Sequence, residues 1–308
     1  MTLFPVRMFG FVRFLALGFI CASLVAAGLP AAAQSAGRKA YVSVTDREGV
    51  PIKDMTAADF EVKEGGKVVE ITSVQQATIP LRVALLVADG GTGAYQQGVI
   101  TFIERMPRTA EFKLVSVAEQ PETLVEYTSN TAALTAGVQR LGRRSARRTS
   151  GQLMEAIVEA SKDVAAEGKR PVILVMRLGG EAPTNVRATA ARDELRKAGA
   201  RLYVISPTGG GGTGAGGMGV SRNQADQGMA EAVVLNQVIN DGAKDSGGRH
   251  DQVAPATLVK TVQQVADELL AQYEISYNLP AGAKPSDRLQ VETKRSNVRV
   301  YAPSRIPN

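Results

Sequence analysis

A run of apolar residues that ends at an aspartate, LRVALLVAD at residues 81–89, decides the fold of this chain. The stretch from Val83 to Ala88 has no polar position, which predicts a strand buried on both faces. Two more apolar runs follow, VILVM at residues 172–176 and LYVI at residues 202–205. Because helical patterns separate the runs, we expect a mostly parallel sheet with helices on both faces, a doubly wound α/β fold.

Apolar residues at helical spacing fill the intervals between these strands. The pattern predicts helices over residues 95–106, 131–141, 152–167, 187–197, 226–240 and 257–273. Two strand patterns at residues 112–117 and 123–127 lie close together in sequence, which predicts one antiparallel pair at the sheet edge. Ligands of such folds bind at the carboxyl ends of the strands, so the residues that follow the strands form the candidate site.

Both ends of the chain carry alternating β patterns. Strands are predicted at residues 41–45, 60–64, 67–71, 274–277, 289–293 and 298–301. Neither end is long enough to bury a core of its own. We therefore predict one small β domain formed by both chain ends, with the α/β domain inserted between them.

The first 33 residues are predicted to be a secretory signal. Arg7 and Arg13 precede an apolar run at residues 14–29, and three alanines at residues 31–33 offer small side chains for cleavage. The run is short for a ~30 Å hydrocarbon core, which favours cleavage over an uncleaved anchor. Lipidation of Cys21 is disfavoured by the large residue before it. The predicted division is a signal at 1–33, a β segment at 34–80, an α/β domain at 81–273 and a β segment at 274–308.

Export and composition together narrow the class of protein. The signal predicts a periplasmic, cell-surface or secreted protein with no membrane span in the mature chain. One Cys and one His in 308 residues nearly exclude disulfide frameworks, zinc fingers and Cys/His nucleophile pairs. The net charge of +6 is a mild excess, and there is no Trp. With the export signal, these features argue against a nucleic-acid partner.

Five segments carry a family resemblance that covers nearly the whole mature chain. They are VTD at residues 44–46, DFEVKEGGK at 59–67, PLRVALLVAD at 80–89, QLMEAI at 152–157 and YEISY at 273–277. In this order they resemble the secreted von Willebrand factor A-related domain proteins described from acidobacteria. The resemblance implies a Rossmann-type sheet of the von Willebrand factor A kind, and binding of a protein partner in adhesion, matrix contact or envelope assembly.

The resemblance also implies a metal-ion-dependent adhesion site, and here the chain departs from the pattern. Such a site carries Asp-x-Ser-x-Ser after the first strand, and its oxygens hold Mg²⁺. Asp89 is in place, but Gly91 and Gly93 stand at the serine positions and Thr92 lies between them. The site is therefore expected to be degenerate.

The remaining metal ligands are also missing from their expected positions. The family's Thr falls on or near Gly151, and its second Asp is absent from MRLGG at residues 176–180. We expect no cofactor, and no Mg²⁺ in particular. A site rebuilt from Thr92, a hydroxyl at 149–150 or Glu181 stays open at this point.

An arginine cluster at residues 140–148 follows the second predicted helix. It contains Arg140, Arg143, Arg144, Arg147 and Arg148 and no acidic residue. The A-type topology implies that this cluster rims the carboxyl edge beside Asp89, with Arg177 at the end of a strand on the same edge. Guanidinium groups pair bidentately with carboxylates, so the cluster predicts an acidic partner. A solvated basic loop with no specific role is the alternative.

Two classes of function remain. The first is a non-catalytic protein-binding module, whose expected partner-binding residues are Asp89, Thr92, Arg143, Arg144, Arg147, Arg148 and Arg177. The second is an extracytoplasmic hydrolase that uses Asp89 as its base. The sequence shows no nucleophile for it, and His250 is interpreted as structural or solvated, so we expect no enzyme.

Overall fold

The computed structural model describes residues 37–89, 92–117, 120–142, 152–178, 184–208 and 233–307. Residues 35–308 form one compact unit. The predicted signal at 1–33 and four predicted site residues, Arg143, Arg144, Arg147 and Arg148, lie outside the described residues. In the part of the chain that is described, no helix is both long enough and apolar enough to span a bilayer.

The elements alternate as the sequence predicts. The strands are β1 Gly37–Thr45, β2 Phe60–Glu64, β3 Lys67–Gln76, β4 Leu81–Ala88, β5 Glu111–Val117, β6 Pro121–Thr128, β7 Arg170–Arg177, β8 Arg201–Pro207, β9 Arg249–Val253, β10 Tyr273–Asn278, β11 Leu289–Thr293 and β12 Arg299–Tyr301. The longer α-helices are α1 Gln96–Arg105, α2 Thr131–Val138, α3 Leu153–Asp163, α4 Ala188–Ala198 and α5 Leu258–Leu270, and a π-helical segment spans Gln237–Gly242.

The central sheet has the order β6-β5-β4-β7-β8-β9. Its strands run parallel except β6, which pairs antiparallel with β5. This confirms the predicted mostly parallel sheet and its antiparallel edge pair. The chain starts at the centre with β4, winds outward through β5 to β6, and then returns to β7 on the other side of β4. Such doubly wound order creates a switch point between β4 and β7.

Strand β4 is apolar throughout because each of its faces meets a separate core. Val83, Leu85 and Val87 belong to one hydrophobic cluster together with residues of α1, α2 and α5. Ala84 and Leu86 belong to a second cluster with residues of α3, α4 and the π-helical segment. Alternate side chains of a strand point to opposite faces, so a strand between two helix layers needs an apolar residue at every position.

The second sheet has the order β11-β2-β3-β10-β1-β12 and draws its strands from both chain ends. Strand β10 lies between β1 and β3, where Tyr273 pairs with Val42 on one side and Gln76 on the other. A third hydrophobic cluster lies on this sheet. The guanidinium of Arg201 in β8 joins the two sheets, since it donates to Ser43 Oγ at 3.0 Å and to the carbonyl oxygen of Tyr41.

Several predicted helix ends shift by a few residues. The helix predicted at 152–167 ends at Asp163, before a turn in which Gly168 has a φ of +67°. The helix predicted at 257–273 ends at Leu270, because Tyr273 already belongs to β10. Of the helix predicted at 226–240, the residues from 233 onward are described, and they are helical with a π-helical turn.

Gly248→Ala tests the close approach of the chain to β8 just before β9. A Cβ at residue 248 would lie 2.0 Å from the carbonyl oxygen of Leu202, so the backbone must move. We expect the free energy of unfolding, measured by urea denaturation, to fall by about 3 kcal/mol. Gly37→Ala is the control, because its added Cβ meets only Asn278 Oδ1 at 3.8 Å. Equal effects of the two substitutions would contradict the described packing.

Candidate binding site at the carboxyl edge of the sheet

Asp89 and Arg177 meet at the switch point of the central sheet. Arg177 is the last residue of β7 and pairs in register with Ala88 of β4, and Asp89 follows directly. Both side chains are buried, with 2% exposure for Asp89 and 6% for Arg177. The structure therefore places a carboxylate and a guanidinium on neighbouring strands, where the fold family leaves its ligand crevice.

Thr92 stabilises the loop after β4. Its hydroxyl donates to the carbonyl oxygen of Asp89 at 2.8 Å, and its backbone N–H points to the same oxygen at 3.2 Å. Tyr95 at the start of α1 donates its hydroxyl to the carbonyl oxygen of Arg177 at 2.5 Å. Burial raises the pKa of Tyr95, so the phenol keeps its proton and serves as a donor. These bonds tie the ends of β4 and β7 to one helix.

Gly142, which lies between Arg140 and Arg143 in the cluster, packs against this loop. It has a φ of +80°, and a Cβ added there would lie 2.9 Å from Cα of Gly93. Gln96 Nε2 donates to the carbonyl oxygen of Leu141 at 2.5 Å, which holds the same turn to α1. The described chain thus brings the residue before Arg143 to the segment at Thr92 and Gly93.

Arg140, the first arginine of the cluster, is engaged on a different strand. Its Nη1 donates to the carbonyl oxygen of Leu124 in β6 at 3.0 Å, and its Nη2 lies 3.8 Å from Glu122 Oε1. Although the cluster contains no acidic residue in sequence, the fold therefore brings Glu122 close to its first arginine. Of the arginines in the cluster, Arg140 has an anchoring role in the described structure.

The described residues around Asp89 offer few ligands for Mg²⁺. Among residues of known placement, no group of three or more His, Cys, Asp or Glu side chains is arranged to hold a metal ion. The Thr92 hydroxyl already donates to a carbonyl, and Arg177 stands at the end of the neighbouring strand. Mg²⁺ prefers a near-octahedral shell of oxygen ligands. Residues 149–150 and Glu181, which the sequence leaves open as further ligands, lie outside the described residues.

A hydrogen-bonded Ser–His–Asn chain lies on the same edge, which the sequence interpretation missed. Ser206 at the end of β8 has its Oγ 2.7 Å from Nε2 of His250 in β9. His250 Nδ1 lies 2.7 Å from Oδ1 of Asn240 in the π-helical segment. The signal available in the sequence was position, because parallel strands bring their carboxyl ends to one edge. The sequence does not show that β8 and β9 are neighbours.

In this Ser–His–Asn chain the serine is buried and the asparagine is exposed, which is the reverse of a working catalytic triad. The nucleophile of a triad faces the substrate and its orienting carboxylate is buried. Here Ser206 is 7% exposed, whereas Asn240 is exposed. Burial lowers the pKa of His250, and the charge of Arg177 lowers it further, while Asp251 acts in the opposite direction. His250 is therefore neutral near pH 7.

Comparisons with known proteins give structural matches of low TM-score. No protein-family model and no curated protein sequence matches this chain. A von Willebrand factor type A structure from Catenulispora acidiphila has a TM-score of 0.45 at 10% identity, over 91% of this chain and 75% of that one. An aerotolerance-related membrane protein from Bacteroides fragilis has a TM-score of 0.45 at 15% identity, over 61% and 98%. Similarity at this level carries no inference about a ligand or partner.

Arg177→Met tests the electrostatics of this edge through the single histidine of the chain. Because His250 is the only His, its imidazole gives one set of resonances in a proton NMR titration. Loss of the positive charge at 177 should raise the pKa of His250 toward its ordinary value of 6.5. Arg108→Met, at an exposed position, should leave it unchanged. No rise in the Arg177 variant would mean that the two side chains are further apart.

The lowered pKa of His250 makes the stability of the fold depend on pH. With a lowered pKa in the folded state, the unfolded chain binds more protons at His250 than the folded chain does. The contribution to stability is complete above the ordinary pKa of 6.5 and is lost as the pH falls through the folded-state pKa.

Proposed function

We propose that this chain is an exported, non-catalytic protein-interaction module of the von Willebrand factor A type, which binds an acidic partner at an Arg/Gly-rich rim. The observation that carries the proposal is the contact of Gly142 with Gly93. Gly142 is the residue before Arg143 in sequence, and it lies against the loop of Thr92 and Gly93, at the strand ends where doubly wound folds bind ligands. Arg144, Arg147 and Arg148 follow within the same short segment.

The module is proposed to work without a metal ion. Arg177 occupies the strand end beside Asp89, and its buried side chain adds a positive charge at this end of the sheet. A divalent cation in the ligand crevice would be repelled by that charge at low effective dielectric. A guanidinium also offers a planar pair of donors that matches a carboxylate of the partner. Asp89 and Arg177 are buried, so they are proposed to support the rim rather than to form most of the contact.

The remaining parts of the proposal concern architecture and location. The pairing of β1 and β3 with β10 supports a β domain built from both chain ends, with the α/β part inserted between them. The signal pattern at residues 1–33 supports export to the periplasm, the cell surface or the medium. Adhesion or envelope assembly is the role that the family resemblance suggests, and no nucleic-acid partner is proposed.

The arginine rim is tested with a charge-matched pair of variants. The first replaces Arg143, Arg144, Arg147 and Arg148 by Ala, and the second replaces the exposed residues Lys53, Arg108, Arg187 and Lys260 by Ala. Binding to immobilised poly-L-glutamate, used as an acidic polypeptide, is measured by surface plasmon resonance. We expect at least about tenfold weaker binding for the first variant and little change for the second. Equal losses of binding in the two variants would show that net charge alone explains the binding, and would reject a specific binding site at the rim.

Thermal melting with Mg²⁺, Mn²⁺, Ca²⁺ and EDTA tests metal independence on the same protein. A bound ion at 100 times its Kd adds about 2.7 kcal/mol, which raises the Tm of a chain of this size by roughly 5–10 °C. We expect no such rise. A clear rise would show that other ligands rebuild the site.

A hydrolase is the second candidate, and the structure favours His250 over Asp89 as its base because His250 contacts a hydroxyl. A fluorophosphonate probe tests it. In that reaction the Oγ–P bond of Ser206 forms, the P–F bond breaks, the serine proton passes to Nε2 of His250 and fluoride leaves. Since Ser206 is 7% exposed, we expect no label by mass spectrometry. Labelling that His250→Ala abolishes would establish the hydrolase instead.

A further inference from the structure

A cavity of about 480 Å³ lies at the amino ends of the strands of the central sheet, whereas the candidate site lies at their carboxyl ends. It is enclosed by the amino ends of β7 and β8, by α4, by β1 and by the chain segment at residues 303–307. The volume falls within the range of roughly 300–1,000 Å³ that small-molecule sites occupy. Apolar side chains form much of the wall, among them Ala40, Val172, Leu195, Ala200 and Ile306.

Three buried polar side chains line this cavity, and all three present donors. Arg170 and Arg201 are 6% and 5% exposed, and Gln272 is 2% exposed. Gln272 Oε1 accepts from Nη1 of Arg170 at 2.6 Å, which fixes the orientation of the amide. The Nε2 group of Gln272 then has no hydrogen-bond partner. A buried donor without an acceptor costs free energy.

The charge of the two buried arginines is not balanced by a carboxylate. Across the described ranges, neither Arg170 nor Arg201 forms an ion pair. Their hydrogen-bond acceptors are carbonyl oxygens, a hydroxyl and an amide, and Arg170 also lies 5.6 Å from the ring centroid of Tyr41. Burial lowers the pKa of Arg170 to about 10, and the charge of Arg201 contributes. Glu274 acts on Arg170 from a distance, but it already accepts from Lys39 at 2.7 Å and from Tyr41 at 3.1 Å.

The arginines at the rim of the cavity differ from the buried pair. Arg192 is paired with Asp245, and Arg305 with Asp287. Arg196 is bound to Asp193 at 3.0 Å. Buried charges in proteins are ordinarily paired, and here the unpaired ones are those in the interior. The inner wall thus combines two guanidinium groups with apolar surface.

We propose that this cavity binds a monocarboxylate with an unbranched apolar body, whose head lies against the guanidinium groups of Arg170 and Arg201. The carboxylate supplies the negative charge that the inner wall lacks. The apolar body covers the alanine, valine and leucine side chains of the wall. The site lies where β1 and the C-terminal segment meet the α/β sheet, so a bound ligand stabilises the contact between the two sheets.

The binding is tested by calorimetric titration of the purified protein with decanoate, with decanamide and with acetate. Decanamide keeps the apolar body and removes the charge, and acetate keeps the head alone. We expect one decanoate per chain, bound at least about tenfold more tightly than either of the other two. Equal affinities of decanoate and decanamide would overturn the role of the arginines, and absence of decanoate binding would overturn the site.

Two variants separate the cavity from the rest of the surface. Ala198→Phe places a ring in the cavity, whereas Ala190→Phe lies on an exposed position of the same helix. We expect the first to abolish decanoate binding and the second to retain it. Loss in both, or in neither, would place binding elsewhere.

Gln272→Glu tests the missing charge without any ligand. The substitution is isosteric and puts a carboxylate beside Arg170. We expect a rise in the Tm of the ligand-free protein by at least about 2 °C and loss of decanoate binding. A lower Tm would show that the charge of the arginines is already balanced, and would reject the proposal. These results do not depend on the arginine rim at the opposite edge.

Discussion

The parallel register of β4 and β7 is the constraint on which the other features depend. It places Ala88 beside Arg177 and Leu81 beside Arg170, so that the two strands start and end together. Both strands are buried between helix layers, which permits only apolar side chains along their middle. Polar residues of these two strands are therefore confined to the strand ends, and both proposed binding sites lie there, at opposite ends of the strands.

The arginines at the two ends of the strands have different partners. At the carboxyl edge, Arg177 stands beside Asp89, and its carbonyl oxygen accepts from Tyr95. At the amino edge, Arg170 and Arg201 bind neutral acceptors and hold the α/β sheet to residues 41–43 and 272. A guanidinium suits this second task because its five donors can satisfy several carbonyl oxygens at once. The same arrangement leaves positive charge in a cavity, and this is the reason that a ligand is proposed there.

The hydrogen-bond partners of His250 could not be identified from the sequence. A lone histidine in a turn-like stretch is ordinarily structural, and the serine nearest to it in sequence, Ser246, is not the one that it contacts. Its hydrogen-bond partners come from positions 44 and 10 residues away, on β8 and on the π-helical segment. The buried position of Ser206 argues that the arrangement stabilises the sheet edge, although its hydrogen bonds match those of a triad.

The sequence alone predicted the α/β class, the antiparallel edge pair and the position of Asp89 after a strand. It could do so because a strand buried on both faces is an unbroken apolar run, and the first polar residue marks where the run ends. That the metal site is degenerate stays a prediction, which rests on changes of residue type at the ligand positions of the family pattern. The pairing of His250, the engagement of Arg140 by β6, the neutral partners of Arg170 and the cavity above them required the tertiary structure. Each depends on which strands are neighbours and in what register, and residues distant in sequence carry no local pattern that reports their contact.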